Sequence, residues 1–497
     1  LQGWSGFHHT VGAATGLVYG LNTIGAVAGG LFTGFVLIPN AGTQFSIMLL
    51  GVAGVCAGSG LVTAFQGKTS ALKRFAPVAA AVMAAACAFL MPRDMYRRNI
   101  VTSPDLETID VFEGVSSTVA VNKNKQGNLL MTSNGVFIAG DDQHRITQKM
   151  LGHIGFFLKE NARDVLSIGY GSGETLLSVS RNEPERMECV EIAREVVIAA
   201  QRYFTHINLG EKLDDLVSVR YMDAKNYLKL TENTYDIIIN DADLPTHSGS
   251  APIFMKEHFT VARSHLNPSG LVISKLHIAN ISESGVRSIL GTFADVFPHV
   301  TLWFPATNPL SFFYMIGSNE EQRFSPKHID NLLNKPAVRS SVEYLNFFRS
   351  QDVLSCYIAD EQDIRRYLDH TYHINSDYHP FVEFNIDIVL KGMDEAIFVP
   401  IIDSVRSRSV LDHIEWNGMP QPERAVWLER FEKQRAATDH VLALFREQRL
   451  INRVEHIFDG LAIMPDNRFL LDLKKNAIEY FLLRTKDKNA EREVDTL

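Results

Sequence analysis

Three alternating glycines, Gly169, Gly171 and Gly173, follow a short apolar run in the segment VLSIGYGSGE. A glycine turn between a strand and a helix lets a large ligand approach the backbone closely. In the dinucleotide fingerprint G-x-G-x-x-G the third glycine would fall at Glu174, so this chain departs from that fingerprint. The spacing instead favours a nucleoside bound without a pyrophosphate, and a tight turn without a ligand is the alternative.

Acidic residues follow the next predicted strands in turn. Glu191 ends the second strand, where a carboxylate can accept hydrogen bonds from both hydroxyls of a ribose. Asp223 and Ala224 end the third strand, where an aspartate can meet the edge of an adenine. Asp241 and Asp243 end the fourth strand, beside the expected reactive centre. Each acid alone is more often a helix cap or a solvated loop residue, but the series predicts a nucleoside site.

An alternation of strands and helices must position these residues. The predicted strands are DVLSIG, RMECVEI, LVSVRYMD, YDIIIND and GLVISKL. The predicted helices between them are ETLLSVSRN, AREVVIAAQRYF, AKNYLKL and MKEHFTVARSHL. This order predicts a mostly parallel, doubly wound α/β sheet with helices on both faces and its ligand at the carboxyl ends of the strands.

The flanking regions have other patterns. Residues 107 to 138 are typical of short strands with turns at KNKQGN and SNG, and residues 144 to 159 of a helix. The segments RAVWLERFEKQRAATDHVLALFREQ and RFLLDLKKNAIEYFLL have helical periodicity. No convincing 34-residue repeat connects them, so a plain helical appendage is favoured over a tetratricopeptide array.

The N-terminal region between residues 11 and 92 is almost free of charge. Its charged residues are Lys68, Lys73 and Arg74. Its apolar segments are Val11–Ile38, Phe45–Phe65 and Phe75–Met91. The first two reach the roughly 20 residues that cross a bilayer, and the third is marginal. Buried helices of a soluble protein are the alternative. Because the sequence starts at Leu1 rather than Met, we expect it to begin inside a longer membrane domain.

The composition excludes several classes of function. A net charge of −9 and the lack of a basic stripe argue against a nucleic-acid binder. The four cysteines lie far apart, without a CxxC pair, so neither a disulfide framework nor a zinc knuckle is predicted. His370, His373 and His379 have near-ligand spacing but no acidic or cysteine partner, and we expect no metal.

A family resemblance connects these motifs. VLSIGYGSGE, CVEIARE, YMDAKNYL, YDIIINDADLP, IFMKEHFTVARSHLNPSGLVI and the earlier SNGVF and MLGH resemble the spermidine synthases. Those are aminopropyltransferases that use decarboxylated S-adenosylmethionine. GLVYGLNTIGAVAGGLFTGFVLIPNAG, FADVFPHVTLW and INSDYHPFVEF are similar to the bacterial membrane-fused branch. The resemblance covers about residues 10 to 390.

The resemblance implies a Rossmann-like fold of the S-adenosylmethionine type and a set of domains. We expect a transmembrane region of about three helices over residues 1–98 and a small β domain over 99–140. A synthase-like α/β domain is expected over 141–400, and a helical region over 401–497. It also implies residue roles. The adenosyl group would be held by Gly169, Gly171, Ser172, Gly173, Glu191, Asp223 and Ala224.

The resemblance also assigns the base. The first acid of the family's Asp-x-x-Asp-Pro motif takes a proton from the attacking amine, and Asp241 matches it. A polyamine nitrogen is mostly protonated near neutral pH and cannot attack a carbon until it loses that proton. A carboxylate also attracts the polyamine cation. Asp243 is the second catalytic candidate, because the family's second acid falls on Leu244.

The polyamine side of the site departs from the family. The acid inside the family's glycine loop, which holds the donor's amino group, is Ser172 here. The family's Tyr-His-Glu segment becomes Thr147-Gln148-Lys149, and a glutamine becomes Ile138. We expect Lys149 to repel a polyamine. The loss of several positioning groups should lower the rate severely.

Three functions therefore stay open. The first is a membrane-anchored aminopropyltransferase with Asp241 as the base, acting on a small polyamine. The second is a degenerate homologue that serves as a structural or assembly subunit among other membrane subunits. The third is a methyltransferase that uses intact S-adenosylmethionine. We expect the lipid bilayer of the bacterial inner membrane as a partner, and the soluble domain in the cytoplasm.

Overall fold

The computed structural model describes most of the chain. The described residues are 11–65, 71–92, 95–96, 103, 105–213, 215–242, 244–247, 249–278, 281–307, 309, 312–369, 371–384, 398–406, 410–447 and 449–486. They form two compact units. One comprises Leu1–Phe137 with Ala193–Ala199, and the other comprises Ile138–Ile192 with Ala200–Leu497.

The first unit begins with apolar helices. These are Val11–Phe32, a π-helical turn over Thr33–Leu37, Ile38–Ala41, Thr43–Phe65 and Ala71–Leu90. Two runs, Thr15–Ala41 and Thr43–Ala64, are long and apolar enough to cross a membrane, with mean hydropathies of 1.8 and 2.0. The third apolar run, Phe75–Leu90, is shorter. Within the described residues, two helices therefore reach spanning length, where the sequence predicted about three.

A small antiparallel sheet follows. Its strands are β1 Leu106–Glu113, β2 Thr118–Asn124, β3 Leu129–Ser133 and β4 Val136–Gly140, in that spatial order. The predicted SNG turn joins β3 to β4. Asn134 and Gly135 have φ of +50° and +82° there, as a two-residue hairpin turn that follows the twist of the strands requires. The predicted short strands of this region are confirmed.

A large mixed sheet organises the second unit. Its strands are β5 Asp164–Ile168, β6 Arg186–Glu191, β7 Ser218–Tyr221, β8 Tyr235–Asn240, β9 Leu266–His277, β10 His299–Trp303, β11 Phe312–Ser318 and β12 Tyr357–Ala359. The spatial order is β12-β10-β11-β9-β8-β5-β6-β7. The five strands from β5 to β9 pair in parallel, as predicted. The antiparallel strands β10, β11 and β12 were not predicted.

Helices pack against this sheet and bury it. Those with close contacts to its strands are Arg145–Leu158, Ala224–Leu230, Lys256–Ser264, Glu283–Val296, Glu361–Leu368 and Phe398–Val405. The remaining helices from residue 174 to residue 384 are Glu174–Ser180, Arg194–Tyr203, Thr205–Asn208, Pro326–Leu333, Pro336–Val342, Ser350–Leu354 and Phe381–Phe384. Every residue of the central strand β8 is buried, as expected for a parallel strand with helices on both faces. Tyr235, Phe254 and Phe259 are fully buried in the core. The predicted α/β fold class is confirmed.

The C-terminal region is helical. Its helices are Gln421–Arg446, Leu450–Ile463 and Arg468–Lys486, so both predicted helices are confirmed and the middle one was missed. Apolar side chains of all three helices, including Val441, Ile457 and Leu470, form a common buried cluster. Because the three helices bury one shared core, the region is a small bundle.

Candidate functional site

The candidate site lies where the strand order reverses between β5 and β8. The amide of Asp241 donates to the carbonyl of Ile168, 2.9 Å away, which joins the ends of these two strands. The amide of Gly169 donates to the carbonyl of Val190, also at 2.9 Å, which joins the end of β5 to β6. Such a switch point is where open α/β sheets bind their ligands. The fold thus brings the glycine loop together with the residues that follow β6 and β8.

The glycine loop needs its glycines. Gly169, Gly171 and Gly173 have φ of +101°, +53° and +84°, a region that side chains with a Cβ rarely adopt. A Cβ on Gly169 would lie 3.0 Å from the backbone oxygen of Asp241. A Cβ on Gly173 would lie 2.8 Å from the Cβ of Asn208. The loop is therefore shaped by close packing against Asp241 and Asn208.

Glu191 reaches back from β6 to this loop. Its Oε2 accepts a hydrogen bond from the amide of Tyr170, 2.9 Å away. The residue is only 8% exposed. The contact of this carboxylate with a ribose hydroxyl stays a prediction. Glu191 has the position that the sequence predicted.

Asp223 and Ala224 follow β7. The Oδ1 of Asp223 accepts from the amide of Asn226 at 2.8 Å and caps the helix Ala224–Leu230. Helix capping was the alternative to nucleoside contact for this residue, and the structure shows that Asp223 performs it. The contact of both residues with an adenine stays a prediction.

Ser172 is turned into the protein. It is fully buried, and its hydroxyl donates to Oε1 of Gln148 at 2.9 Å. Its backbone oxygen accepts from Nδ2 of Asn208 at 2.8 Å. Ser172 thus holds the glycine loop against the helix Arg145–Leu158. Gln148, which the sequence analysis treated as a lost substrate contact, supports the loop instead.

Asp241 is buried and both of its carboxylate oxygens are bonded. Its side chain is 4% exposed, and Oδ1 lies 2.8 Å from Nζ of Lys275, whose side chain is 2% exposed. Oδ2 accepts from Oγ1 of Thr175 at 2.6 Å. Asp243 lies outside the described residues. Lys275 was not among the residues predicted from the sequence, although a lysine inside the apolar strand GLVISKL is a signal of a buried charge with a partner.

A second buried ion-pair network, which we call the Glu174 network, lies at the start of the helix after the glycine loop. Glu174 is fully buried, and its Oε1 lies 2.6 Å from Nζ of Lys149. Its Oε2 lies 2.7 Å from Nε of Arg145. Burial lowers the pKa of Lys149, while the charge of Glu174 opposes that shift. The expectation that Lys149 repels a polyamine treated it as a free cation, and the structure instead shows it buried and paired.

Aromatic and titratable groups lie around Lys275. The Nζ of Lys275 is 5.5 Å from the ring centroid of Phe312, on which His277 stacks at 4.5 Å. Burial lowers the pKa of His277 to about 4, and the charges of Lys275 and His144 act in the same direction. His277 is therefore neutral at physiological pH, which leaves Lys275 as the cation on this strand end.

The segment that carries the site matches a known family. Residues 144–325 match the family model described as "Spermine/spermidine synthase domain". A polyamine aminopropyltransferase of Escherichia fergusonii is 27% identical over 172 residues, which are 34% of this chain and 59% of that protein. One of Thermotoga petrophila is 24% identical over 234 residues, 46% of this chain and 75% of that protein.

Solved structures of the same kind are also similar. Spermidine synthase from Thermotoga maritima has a TM-score of 0.38 and 21% identity, over 43% of this chain and 73% of that chain. A spermidine synthase in complex with the transition-state analogue AdoDATO has a TM-score of 0.39 and 19% identity, over 48% of this chain and 88% of that chain.

The sheet order, with its reversal between β5 and β8, defines a doubly wound type of α/β protein. Over residues 144–325 the chain is similar to the spermidine synthases. The chain spans a little over half the length of the first curated relatives that it matches, 59% and 56%.

Proposed function

We propose that this protein transfers the aminopropyl group of decarboxylated S-adenosylmethionine to a polyamine, with Asp241 as the base. One observation carries the proposal. Within the segment that matches the synthase domain, backbone hydrogen bonds join the glycine loop to the ends of β6 and β8, which carry Glu191 and Asp241. This arrangement supports donor binding on one side and a carboxylate for the acceptor amine on the other.

The proposed reaction needs only a proton acceptor and correct positioning. The acceptor nitrogen forms a bond to the aminopropyl carbon beside the sulfonium. The bond from that carbon to sulfur breaks, and its electron pair stays on sulfur as a neutral thioether, methylthioadenosine. The proton released from the amine goes to Asp241. Glu191 and the glycine loop orient the nucleoside, and such positioning supplies much of the rate in a two-substrate reaction.

The membrane attachment is part of the proposal. Thr15–Ala41 and Thr43–Ala64 are 0% and 6% buried over their most apolar windows, so nearly all of that apolar surface faces outward. Exposed apolar surface of this extent is favourable in lipid and unfavourable in water. We place the protein in the bacterial inner membrane, with the second unit in the cytoplasm, where the donor is made.

The first prediction tests donor binding. We expect the detergent-purified protein to bind decarboxylated S-adenosylmethionine in a calorimetric titration. We expect Glu191→Ala to weaken that binding by about tenfold or more, because a charged hydrogen-bond partner of the ribose is lost. S-adenosylmethionine and methylthioadenosine are titrated in parallel, and tighter binding of S-adenosylmethionine would favour methyl transfer.

A second candidate function is supported by the contacts of Asp241. Lys275 and Thr175 already bond both oxygens of its carboxylate. A chain that keeps this arrangement permanently is a non-catalytic scaffold in a membrane complex. If the calorimetric titrations showed no binding of any of the three nucleosides, the proposed enzymatic function would be contradicted and the scaffold function supported.

The second prediction uses a substitution of Lys275 to distinguish the proposed enzyme from the non-catalytic scaffold. In the proposed enzyme the ammonium of Lys275 competes with the acceptor's ammonium for Oδ1 of Asp241. We expect Lys275→Gln to lower the KM for the polyamine by about tenfold and to leave the donor's Kd unchanged, since one competing charge is removed at close range. Steady-state rates with spermidine and putrescine as trial acceptors measure this effect.

Lys159→Gln is the matched control for this variant. Lys159 also pairs with an aspartate of low exposure, Asp236, at 3.8 Å and at the opposite end of β8. We expect this control to leave the KM unchanged. A fall in kcat with an unchanged or higher KM in Lys275→Gln would instead make Lys275 a group that positions Asp241, which contradicts the competition.

A further inference from the structure

We propose that His440, His456 and Asp459 form a binding site for a transition-metal ion of the zinc class in the C-terminal helical bundle. The site is separate from the glycine loop and from Asp241. The proposal therefore does not depend on the proposed transfer reaction.

The packing of two helices brings the three side chains together. His440 lies on the helix Gln421–Arg446, and His456 and Asp459 lie on the helix Leu450–Ile463. A Cβ on Gly460 would lie 3.3 Å from the Cβ of His440 and 2.5 Å from Cδ1 of Leu470. Glycine at this position thus allows the helices to approach closely. His456 is one turn earlier on the same face.

The spacing on the second helix suits a metal. His456 and Asp459 are separated by three positions, so an imidazole and a carboxylate project from one face of the helix. Metal sites in helical bundles use a carboxylate and a histidine with this separation, together with side chains from a facing helix. Here the facing helix supplies His440.

The ligand atoms converge. One ligand atom from each of the three residues lies within 4.8 Å of the other two. The Nδ1 atoms of His440 and His456 are 3.1 Å apart. Two nitrogens that each lie about 2.0–2.1 Å from a tetrahedral zinc ion are about 3.3 Å from each other. The observed separation is therefore close to that of two imidazoles on one ion.

A hydrogen bond between the two imidazoles is the alternative account of this distance. In that arrangement one Nδ1 carries a proton and the other accepts it. The hydrogen bond gives no role to the carboxylate of Asp459, whereas a metal ion uses all three groups. Metal binding would take the place of the shared proton: the donor ring would change tautomer, so that both neutral rings carry their proton on Nε2 and offer Nδ1 to the ion.

The donor atoms select the class of ion. Two imidazole nitrogens and one carboxylate oxygen suit zinc, cobalt or nickel, whereas calcium and magnesium prefer sites made entirely of oxygen. Three protein ligands leave a fourth position for water or for another group. A bound ion would link the first two helices of the bundle and should stabilise that region.

The expectation of no metal was based on a different set of histidines, His370, His373 and His379. His370 of that set lies outside the described residues. His373 stacks on Phe381, with ring centroids 4.4 Å apart. The pair His440 and His456 was missed because the two residues are 16 positions apart and lie on different helices. Their contact therefore depends on how these two helices pack.

The experiment is a cobalt titration of the full chain in detergent after removal of metal with a chelator. Co²⁺ in a tetrahedral nitrogen and oxygen site gives visible d–d absorption, and Zn²⁺ added afterwards should abolish it by displacement. We expect Asp459→Asn and His440→Gln each to weaken Co²⁺ binding by at least about tenfold. Asp459 is exposed, so its variant should fold whatever the effect of the histidine substitution.

His206→Asn is the matched control. His206 is half exposed and lies beside a carboxylate, with its Nε2 3.0 Å from Oδ2 of Asp141, but it has no place in the proposed site. We expect this control to bind Co²⁺ like the unchanged protein. A chain that shows no d–d absorption would overturn the proposal. So would a spectrum that Asp459→Asn and His440→Gln both retain at full strength.

Discussion

Asp241→Asn is expected to lower the rate of aminopropyl transfer by about a thousandfold, within the range that a positioned general base contributes. The affinity for the donor should not change, because the donor is held by Glu191 and the glycine loop in the proposed complex. The measurement pairs initial rates of methylthioadenosine release with a calorimetric titration of the donor. This combination distinguishes a lost base from a lost binding site.

Asparagine is the informative substitution because it keeps the shape of the buried site. Its amide oxygen can still accept from Lys275, and its amide nitrogen can donate to the hydroxyl of Thr175. An alanine would leave the buried Lys275 ammonium without any acceptor at this position and would empty the space of the carboxylate, so it would disturb folding more than asparagine does. Asparagine removes the charge and the basicity together.

Asp236→Asn is the control for the same strand. Asp236 lies near the start of β8, accepts from the amides of Arg163 and Asp164, and lies near Lys159. We expect this variant to lose stability but to retain its rate per folded molecule. If Asp241→Asn kept its rate within about threefold, another group would be the base. Asp243 would be tested next.

The sequence predicted the parts of the site that depend on short-range pattern. The three glycines mark a turn because their φ values are positive, and the apolar run of β5 before them fixes where the turn lies. The strand ends at Glu191 and Asp241 followed from the alternation of strands and helices. These features need only a few neighbouring residues to be recognised.

The sequence could not show which charges are paired. Lys275 and Asp241 are 34 residues apart, and Lys149 and Glu174 are 25 apart, so their contacts depend on tertiary packing. Without those partners, Lys149 was interpreted as a free cation beside a polyamine. The strands β10 and β11 were missed for a related reason. They pair antiparallel at one side of the sheet and interrupt the simple alternation on which the prediction relied.

The Glu174 network gives the largest expected effect on stability. Glu174→Gln leaves Lys149 buried and Arg145 partly buried without their shared carboxylate. Removing one partner of a buried ion pair typically destabilises a protein by about 3–5 kcal/mol. We therefore expect the free energy of unfolding of the second unit to fall by about that amount. Denaturant unfolding of the detergent-purified chain, followed by tryptophan fluorescence, measures the change.

Lys149→Met is the matched variant. The lowered pKa of Lys149 predicts that this variant, unlike Glu174→Gln, does not lower the free energy of unfolding. Burial lowers the pKa of Lys149 below the ordinary value of 10.5, so the pull of Glu174 does not fully offset the loss of solvation. This unfavourable contribution is present in full below the folded-state pKa and disappears as the pH rises above 10.5. Methionine removes the buried charge, while Arg145 still pairs with Glu174. We expect no loss of stability, or a small gain, at pH 7.

The double variant Lys149→Met with Glu174→Gln tests whether removing both charges of the pair costs less stability than removing the carboxylate alone. It removes one positive and one negative charge, so only Arg145, whose side chain is a quarter exposed, lacks a carboxylate. We expect it to recover at least half of the loss caused by Glu174→Gln, because a charge pair replaced as a unit costs less than one partner removed. If Lys149→Met alone cost as much as Glu174→Gln, Lys149 would stabilise the fold through its contacts with Glu174 and Ser341. The network would then be a structural clamp that holds the helix after the glycine loop against the helix Arg145–Leu158.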